Sequence, residues 1–350
     1  MRFSVISLTA LAASVAIAHP GEKQVRTDAK IAAAKREFKA GVRRGLEACS
    51  GKLSARGVTD RAVARRAATA KKYGRSVEAR DTDTVLNTSH LSTANYTLDT
   101  PESTLFASSG TCAVNPEGET GPYWVKGELV RNNLRENQTG VPIVIEAQFV
   151  DVETCEPLEG IYWDVWNCNA TGVYSGLVAE GNGNTADAAN LNATFLRGVA
   201  KSDADGVVQF ESIFPGHYDG RATHHHMVVH LNATVLPNNT LTGGTYGHVG
   251  QLFWDQDIID TIEATAPYNT NTISITNNSD DRVFSTETTD TTTDPVFEYV
   301  YLGSDLSDGL FGWVTVGVNT SATYDPNYSY VWTSSGGVAQ SGGTVTVNKQ

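Results

Sequence analysis

The 350 residues carry 26 Lys+Arg against 39 Asp+Glu, a formal net charge of −13, with 40% hydrophobic and 19% charged residues. That is too apolar for a disordered chain, and an acidic balance argues against a protein built to bind nucleic acid along its whole surface. No run after the first 18 residues is apolar for long enough to span a bilayer, which excludes a membrane-embedded class on the sequence pattern.

Residues 1–18 read as a secretory signal. Arg2 supplies the positive start, Val5–Ile17 the short apolar run, and Ala16-Ile17-Ala18 a small-x-small cleavage site. The tail Asn348-Lys349-Gln350 carries no lipid-anchor pattern. Ten N-glycosylation sequons, from Asn87 to Asn327, agree with an extracellular destination. Four cysteines, Cys49, Cys112, Cys155 and Cys168, predict two disulfides in any of three pairings. The absence of a Cys-x-x-Cys pair argues against zinc.

Charge divides the rest of the chain. Residues 19–80 hold 17 Lys+Arg and 6 Asp+Glu, whereas residues 81–350 hold 8 and 33. In the basic region Ile31, Ala34, Phe38, Val42 and Leu46 recur at helical spacing. A second helix is expected from Thr59, as its cap, through Val63 and Ala67. The region suits two amphipathic helices lying on the acidic body, a cleaved basic pro-segment, or a polyanion-binding arm. No aromatic residues interleave with its charges, so no nucleic-acid partner is expected.

Residues 81–109 form a polar linker or arm. From Gly110 to about residue 330 the pattern is β. Strands are expected over Tyr123–Val130, Val141–Val150 and Ile161–Val165. The Asp203–Gly206 turn should join two more as a hairpin. A loop spans Leu231–Thr245, a strand Gly250–Trp254, a helical turn Asp255–Ala264, and later strands Tyr299–Leu302 and Gly312–Val318. Residues 331–350 read as a strand or tail. The fold class is therefore mainly β, a β-sandwich preceded by a short basic α-helical region.

The chemistry concentrates in Phe195–His226. Alternation along the strand Thr223-His224-His225-His226 puts His224 and His226 on one face and His225 on the other. Tyr218 follows the Pro215-Gly216 corner, and Tyr174 lies in the earlier run DVWNCNATGVYSG. Alone, Tyr174 is an ordinary loop tyrosine and the two histidines an ordinary polar strand. Together, two phenols and two imidazoles make a mixed oxygen and nitrogen donor set for a first-row metal. His230, which shares the parity of His226, is the reserve ligand, and His217 and His225 are expected to be none.

The combination WNCNATGVY, FLRGVAKSDADG and PGHYDGRATHHH resembles the intradiol ring-cleavage dioxygenases, above all their secreted fungal branch, over roughly residues 110–320. The resemblance implies a catalytic β-sandwich holding non-haem Fe(III), with Tyr174, Tyr218, His224 and His226 as ligands. Tyr218 and His224 would form the axial pair, Tyr174 and His226 the equatorial one, and Tyr218 would leave when substrate binds. The implied partners are a small aromatic diol and O2, and the implied products are cis,cis-muconate-type diacids. Arg221 and Gln251 stand where the family places an arginine beside the substrate ring and a glutamine orienting the substrate. Asn167 stands where a histidine is common, which bears on specificity. The basic region is unlike the helical dimerisation domain of the bacterial enzymes, so their dimer is not implied. Two other readings compete. One is a sandwich binding module that keeps the fold without the chemistry. The other is a copper site built on His19 at a processed amino terminus, for which no second histidine is placed.

Overall fold

The computed structural model describes residues 41, 45–46, 48–74, 111–112, 120–179, 181–182, 187–288, 294–326, 328–340 and 346–348. The expected signal, the polar arm and most of the first basic helix lie outside these residues, although residues 48–55 are helical.

The next helix, α1 (Val58–Tyr73), begins at Gly57 and has no side-chain cap. The expected Thr59 cap is thus incorrect. Gly57 closes the preceding helix through its N–H to the Ser54 carbonyl and sits at φ 67°, so one left-handed glycine ends one helix and opens the next. The strands follow in chain order. They are β1 (Thr111–Cys112), β2 (Val125–Lys126), β3 (Pro142–Asp151), β4 (Tyr162–Trp166), β5 (Arg197–Lys201), β6 (Val207–Ile213), β7 (His224–Leu231), β8 (Thr234–Val235) and β9 (Leu241–Thr242). After β10 (Thr245–Phe253) come the helices α2 (Gln256–Glu263) and α3 (Arg282–Thr288). The chain then forms β11 (Glu298–Tyr301), β12 (Leu310–Val318), β13 (Thr323–Asp325), β14 (Tyr330–Thr333), β15 (Gly336–Ala339) and β16 (Thr346–Asn348).

Two sheets make the sandwich. One runs β1-β12-β3-β6, with β11 on β12, and the other runs β16-β13-β10-β7-β4-β5. Strict alternation fills the space between them. Ile143, Ile145 and Phe149 of β3 meet Trp163 and Val165 of β4 and Met227 and Val229 of β7 in one buried core. Each such side chain contributes roughly 1.5–3 kcal/mol through burial. The opposite parity of each sheet faces outward, and both outer faces are covered.

On the first sheet, α1 lies over Val144, Val300 and Trp313 through Ala70. Arg65 and Arg66 both pair with Glu146, which is fully buried on β3, and Arg61 forks onto Asp205. A Cys49–Cys155 disulfide, closing a sequence separation of 106, ties the basic region down; on chain-entropy arguments such a loop is worth about 4–5 kcal/mol. Among the readings of the basic region, helices resting on the acidic body describe this packing.

Three further expectations change. Cys168 is a buried free thiol whose Sγ donates to the Gly216 carbonyl at 3.2 Å, so it belongs to no second disulfide. The Asp203–Gly206 turn is real, with Asp203 Oδ1 accepting from Asp205 N and Val207 N. Its flanks do not pair with each other, however: β5 pairs with β4 and β6 with β3. Turn residues encode only the local reversal, and tertiary burial decides which neighbour each strand joins. The expected strand Tyr123–Val130 likewise shortens to β2, because Gly127 at φ 95° interrupts it.

Candidate metal centre

The outer face of the second sheet carries the site. Parity turns His224, His226, Val228 and His230 of β7 outward, while His225 points into the core between Trp254 and Phe297. Register then sets the neighbours of His226, with Trp166 of β4 opposite on one side and Gln251 of β10 on the other. Trp166 stacks on the His226 ring at 4.9 Å with 2° between planes, holding it flat.

The two tyrosines arrive on loops packed backbone to backbone. A Cβ on Gly172, which sits at φ 82°, would lie 2.3 Å from the His217 carbonyl oxygen. One on Gly216 would lie 2.5 Å from that of Ala170. The glycines of Ala-Thr-Gly-Val-Tyr and Pro-Gly-His-Tyr are thus what lets the loops close on each other. Asn169 Oδ1 accepts from Thr171 N and Val173 N, folding the first loop. The Tyr174 backbone, which joins no strand, is held by side chains instead. Asn182 Oδ1 accepts its N–H at 2.7 Å, and the amides of Asn182 and Asn190 both donate to its carbonyl.

The four polar ends converge. Tyr218 Oη is 3.2 Å from His224 Nε2, His224 Nε2 is 3.0 Å from His226 Nε2, and His226 Nε2 is 3.2 Å from Tyr174 Oη. Donors about 2.1 Å from one ion at about 90° lie about 3.0 Å apart, so these spacings suit ligands around a common centre. His224 Nδ1 donates to the Ala222 carbonyl at 2.6 Å, which leaves its Nε2 as a lone-pair donor facing that centre. Among the described residues, no three His, Cys, Asp or Glu side chains gather as a ligand set; here two phenols complete two imidazoles. Burial pushes both phenols well above their ordinary pKa, so without a cation they stay protonated. The residues fit a highly charged ion, whose charge would favour the phenolate form of both tyrosines.

Tyr218 and His224 are neighbours at one end of the set, and His226 and Tyr174 at the other.

Arg221 is fully buried beside this set. It donates from Nη1 to Tyr218 Oη at 3.3 Å, from Nη2 to Gln251 Oε1, and from Nε to Asp281 Oδ2 at 2.8 Å. Burial opposes its charge, but the oxygens of Tyr218 and Asp281 more than compensate and raise its pKa. All six sequence-predicted residues therefore meet at one place. The expected non-ligands lie elsewhere. His217 spans Glu263 and the Ile273 carbonyl, and His230 faces Asp164. Burial holds His230 down to about 4, so its contact with Asp164 is a hydrogen bond of a neutral ring. Asn167 is buried and donates to the Cys168 carbonyl.

Sequence reasoning missed three contributors. Asp281 is the ion partner of Arg221 and caps α3 through Val283 N and Phe284 N; the Asp before Arg-Val-Phe was a legible cap signal. Tyr123 lies against both candidate ligand tyrosines, 4.9 Å from the Tyr174 ring and 5.7 Å from that of Tyr218. Arg197 reaches the Tyr174 loop from β5. Neither of these last two had a sequence signal, since each depends on a distant segment.

Comparison with known proteins finds the following similarities. A family model described as Dioxygenase matches residues 120–235. No curated protein matches the chain. Similar solved structures include an intradiol ring-cleavage dioxygenase from Tetranychus urticae, at 28% identity over 59% of this chain and 95% of that one, TM-score 0.48. Another is the dioxygenase domain of a dioxygenase carbohydrate-binding protein fusion from Streptomyces sp. SirexAA-E, at 20% identity over 57% and 94%, TM-score 0.35. A third is hydroxyquinol 1,2-dioxygenase from Pseudomonas putida DLL-E4, at 18% identity over 59% and 68%, TM-score 0.38. The matched span holds all four candidate ligands in the motifs that carry the resemblance, and over residues 120–235 the chain is similar to the Dioxygenase family.

Proposed function

We propose that the protein is a secreted non-haem iron(III) dioxygenase that opens catechol-type rings between their two hydroxylated carbons. The observation that carries this reading is the closed set of Tyr218, His224, His226 and Tyr174 ends at 3.0–3.2 Å, with Arg221 and Gln251 joined beside it. Ferric iron, when bound, supplies the Lewis acidity that turns buried phenols into phenolates and makes a catecholate ring reactive towards O2.

The chain's own groups do the rest. Tyr218 is the base: its oxygen takes a proton from one substrate hydroxyl and returns it when product leaves. Its bond from Arg221 stabilises the phenolate state before the first of those events and after the second. Arg221, fixed by Asp281 and Gln251, holds a positive charge where the electron-rich ring must lie. Tyr123 packs against both phenol rings. The overall change adds both atoms of O2 to the diol and yields a cis,cis-muconate-type diacid, with no external reductant. The Cys49–Cys155 disulfide supports an oxidising compartment, as do exposed sequon residues such as Asn137, Asn232 and Asn277.

The test is oxygen uptake by iron-loaded protein against a small panel of catechols and hydroxyquinols. Stoichiometric uptake with formation of an open-chain diacid is expected. No uptake across the panel, with iron bound, would favour a sandwich that binds without reacting.

A further inference from the structure

Two buried arginines serve the two tyrosines, and they do so differently. Arg221 touches the oxygen of Tyr218 itself. Arg197, at the start of β5, never reaches the oxygen of Tyr174; its guanidinium carbon lies 5.8 Å from the Tyr174 ring centroid. Behind the ring, its Nε donates to the Ser175 carbonyl at 2.9 Å and to Ser175 Oγ at 3.1 Å. Its Nη2 donates to the Tyr123 carbonyl at 2.7 Å, and its Nη1 to Glu128 Oε1 at 2.9 Å. One planar fork therefore joins three segments: β5, the loop of Tyr174, and the stretch that brings Tyr123 against it.

We infer that Arg197 is the positioning residue of Tyr174, fixing that ligand and laying a permanent positive charge over its ring. The inference rests on the reading that Tyr174 binds ferric iron.

The surroundings of Arg197 are built to keep it in place. Its side chain is 4% exposed and that of Glu128 is 3% exposed. Glu128 in turn neighbours Asp164, which accepts from Trp124 Nε1 at 3.1 Å and meets His230 Nε2 at 3.1 Å. Trp124 stacks on Trp166, and Trp166 stacks on His226. The same buried cluster thus steadies Tyr174 on one side and His226 on the other. The contrast with Tyr218 gives this a purpose. A ligand that must leave and return is held by a contact to its oxygen, which can follow it. A ligand that must stay is gripped through its backbone neighbours, by Asn182, Asn190 and Arg197 together.

The experiment uses the full-length protein with Tyr218→Phe as background, so that the tyrosinate-to-iron absorption band reports Tyr174 alone. Into it go Arg197→Lys and, as a control, Arg66→Lys, the same change at a buried arginine of α1, on the far side of the sandwich. Arg197→Lys should shift the position of the band and weaken iron retention by about 10- to 100-fold, the range for groups that orient a metal ligand. Arg66→Lys should lower the unfolding temperature while leaving band and retention as in the background. Arg197→Lys that is less stable, yet has an unshifted band and unchanged iron retention, would make Arg197 merely structural and overturn the inference. If Arg197→Lys does not fold, Ser175→Ala removes one of its contacts with less disturbance. It should shift the band in the same direction by less, and an unchanged band and retention there would overturn the inference equally. Absence of any such band in the iron-loaded wild type would instead overturn the ferric reading, and this inference with it.

Discussion

Asp281→Asn tests the support of Arg221. Both carboxylate oxygens are saturated: Oδ2 accepts from Arg221 Nε at 2.8 Å and Ala222 N at 2.7 Å, and Oδ1 from Val283 N at 2.6 Å and Phe284 N at 2.9 Å. An asparagine has the same shape but one acceptor, so two of the four donors would face an NH2 group. It also leaves the Arg221 charge, fully buried, without its counter-ion. Removing one partner of a buried pair costs about 3–5 kcal/mol, and two lost charge-assisted bonds at about 1.5–3 kcal/mol each give the same order. The unfolding midpoint should fall by about 5–10 °C, measured by circular dichroism. Turnover should fall too, because the fork that reaches Tyr218 and Gln251 is no longer fixed. Asp280→Asn, an exposed neighbour, should stay within about 0.5 kcal/mol of wild type. An Asp281→Asn protein with wild-type midpoint and turnover would refute the assignment of Asp281 as the support of Arg221.

Arg221→Lys keeps the charge and loses the fork; turnover with catechol should drop at least about tenfold, roughly 1.4 kcal/mol, with iron content unchanged, and undiminished turnover would demote the residue. Tyr174→Phe should lose iron and activity together, whereas Tyr218→Phe should keep iron but bind catechol more slowly in anaerobic stopped-flow, because a proton acceptor is gone; equal retention with equal binding rates would remove the distinction. Burial pushes the Asp164 carboxyl up to about 7 and that of Glu128 upward as well. A carboxyl raised on folding keeps a proton that the unfolded chain has lost, so stability should fall as pH rises from about 4 to about 7, by up to about 1.4 kcal/mol per unit for one proton. Asp164→Asn should flatten that slope in denaturant titrations, and an unaltered slope would place its titration elsewhere.

What the sequence made legible was whatever period two and short motifs encode. The split of His224 and His226 from His225 needed only strand parity, and the core-facing alternation of β3 and β4 needed no more. The glycines of the two tyrosine motifs mark where the backbones touch, though not what they touch. Pairing was less legible. The Asp203–Gly206 turn looks like a hairpin because its reversal is local, and only the competing partners β4 and β3 separate its flanks. Asp281 and Arg197 stayed hidden for a related reason. Asp281 lies 60 residues from Arg221 in sequence, and Arg197 lies 69 from Glu128. A buried ion pair has no signature until the fold has brought both halves together.

The central claim is that two phenols and two imidazoles hold one ferric ion. Metal analysis combined with visible absorption of the purified full-length protein tests it most directly. One iron per chain and a red-brown tyrosinate charge-transfer band, weakened by either Tyr174→Phe or Tyr218→Phe, is the predicted result. A fully iron-loaded but colourless protein, or stoichiometric copper or zinc in place of iron, would contradict it.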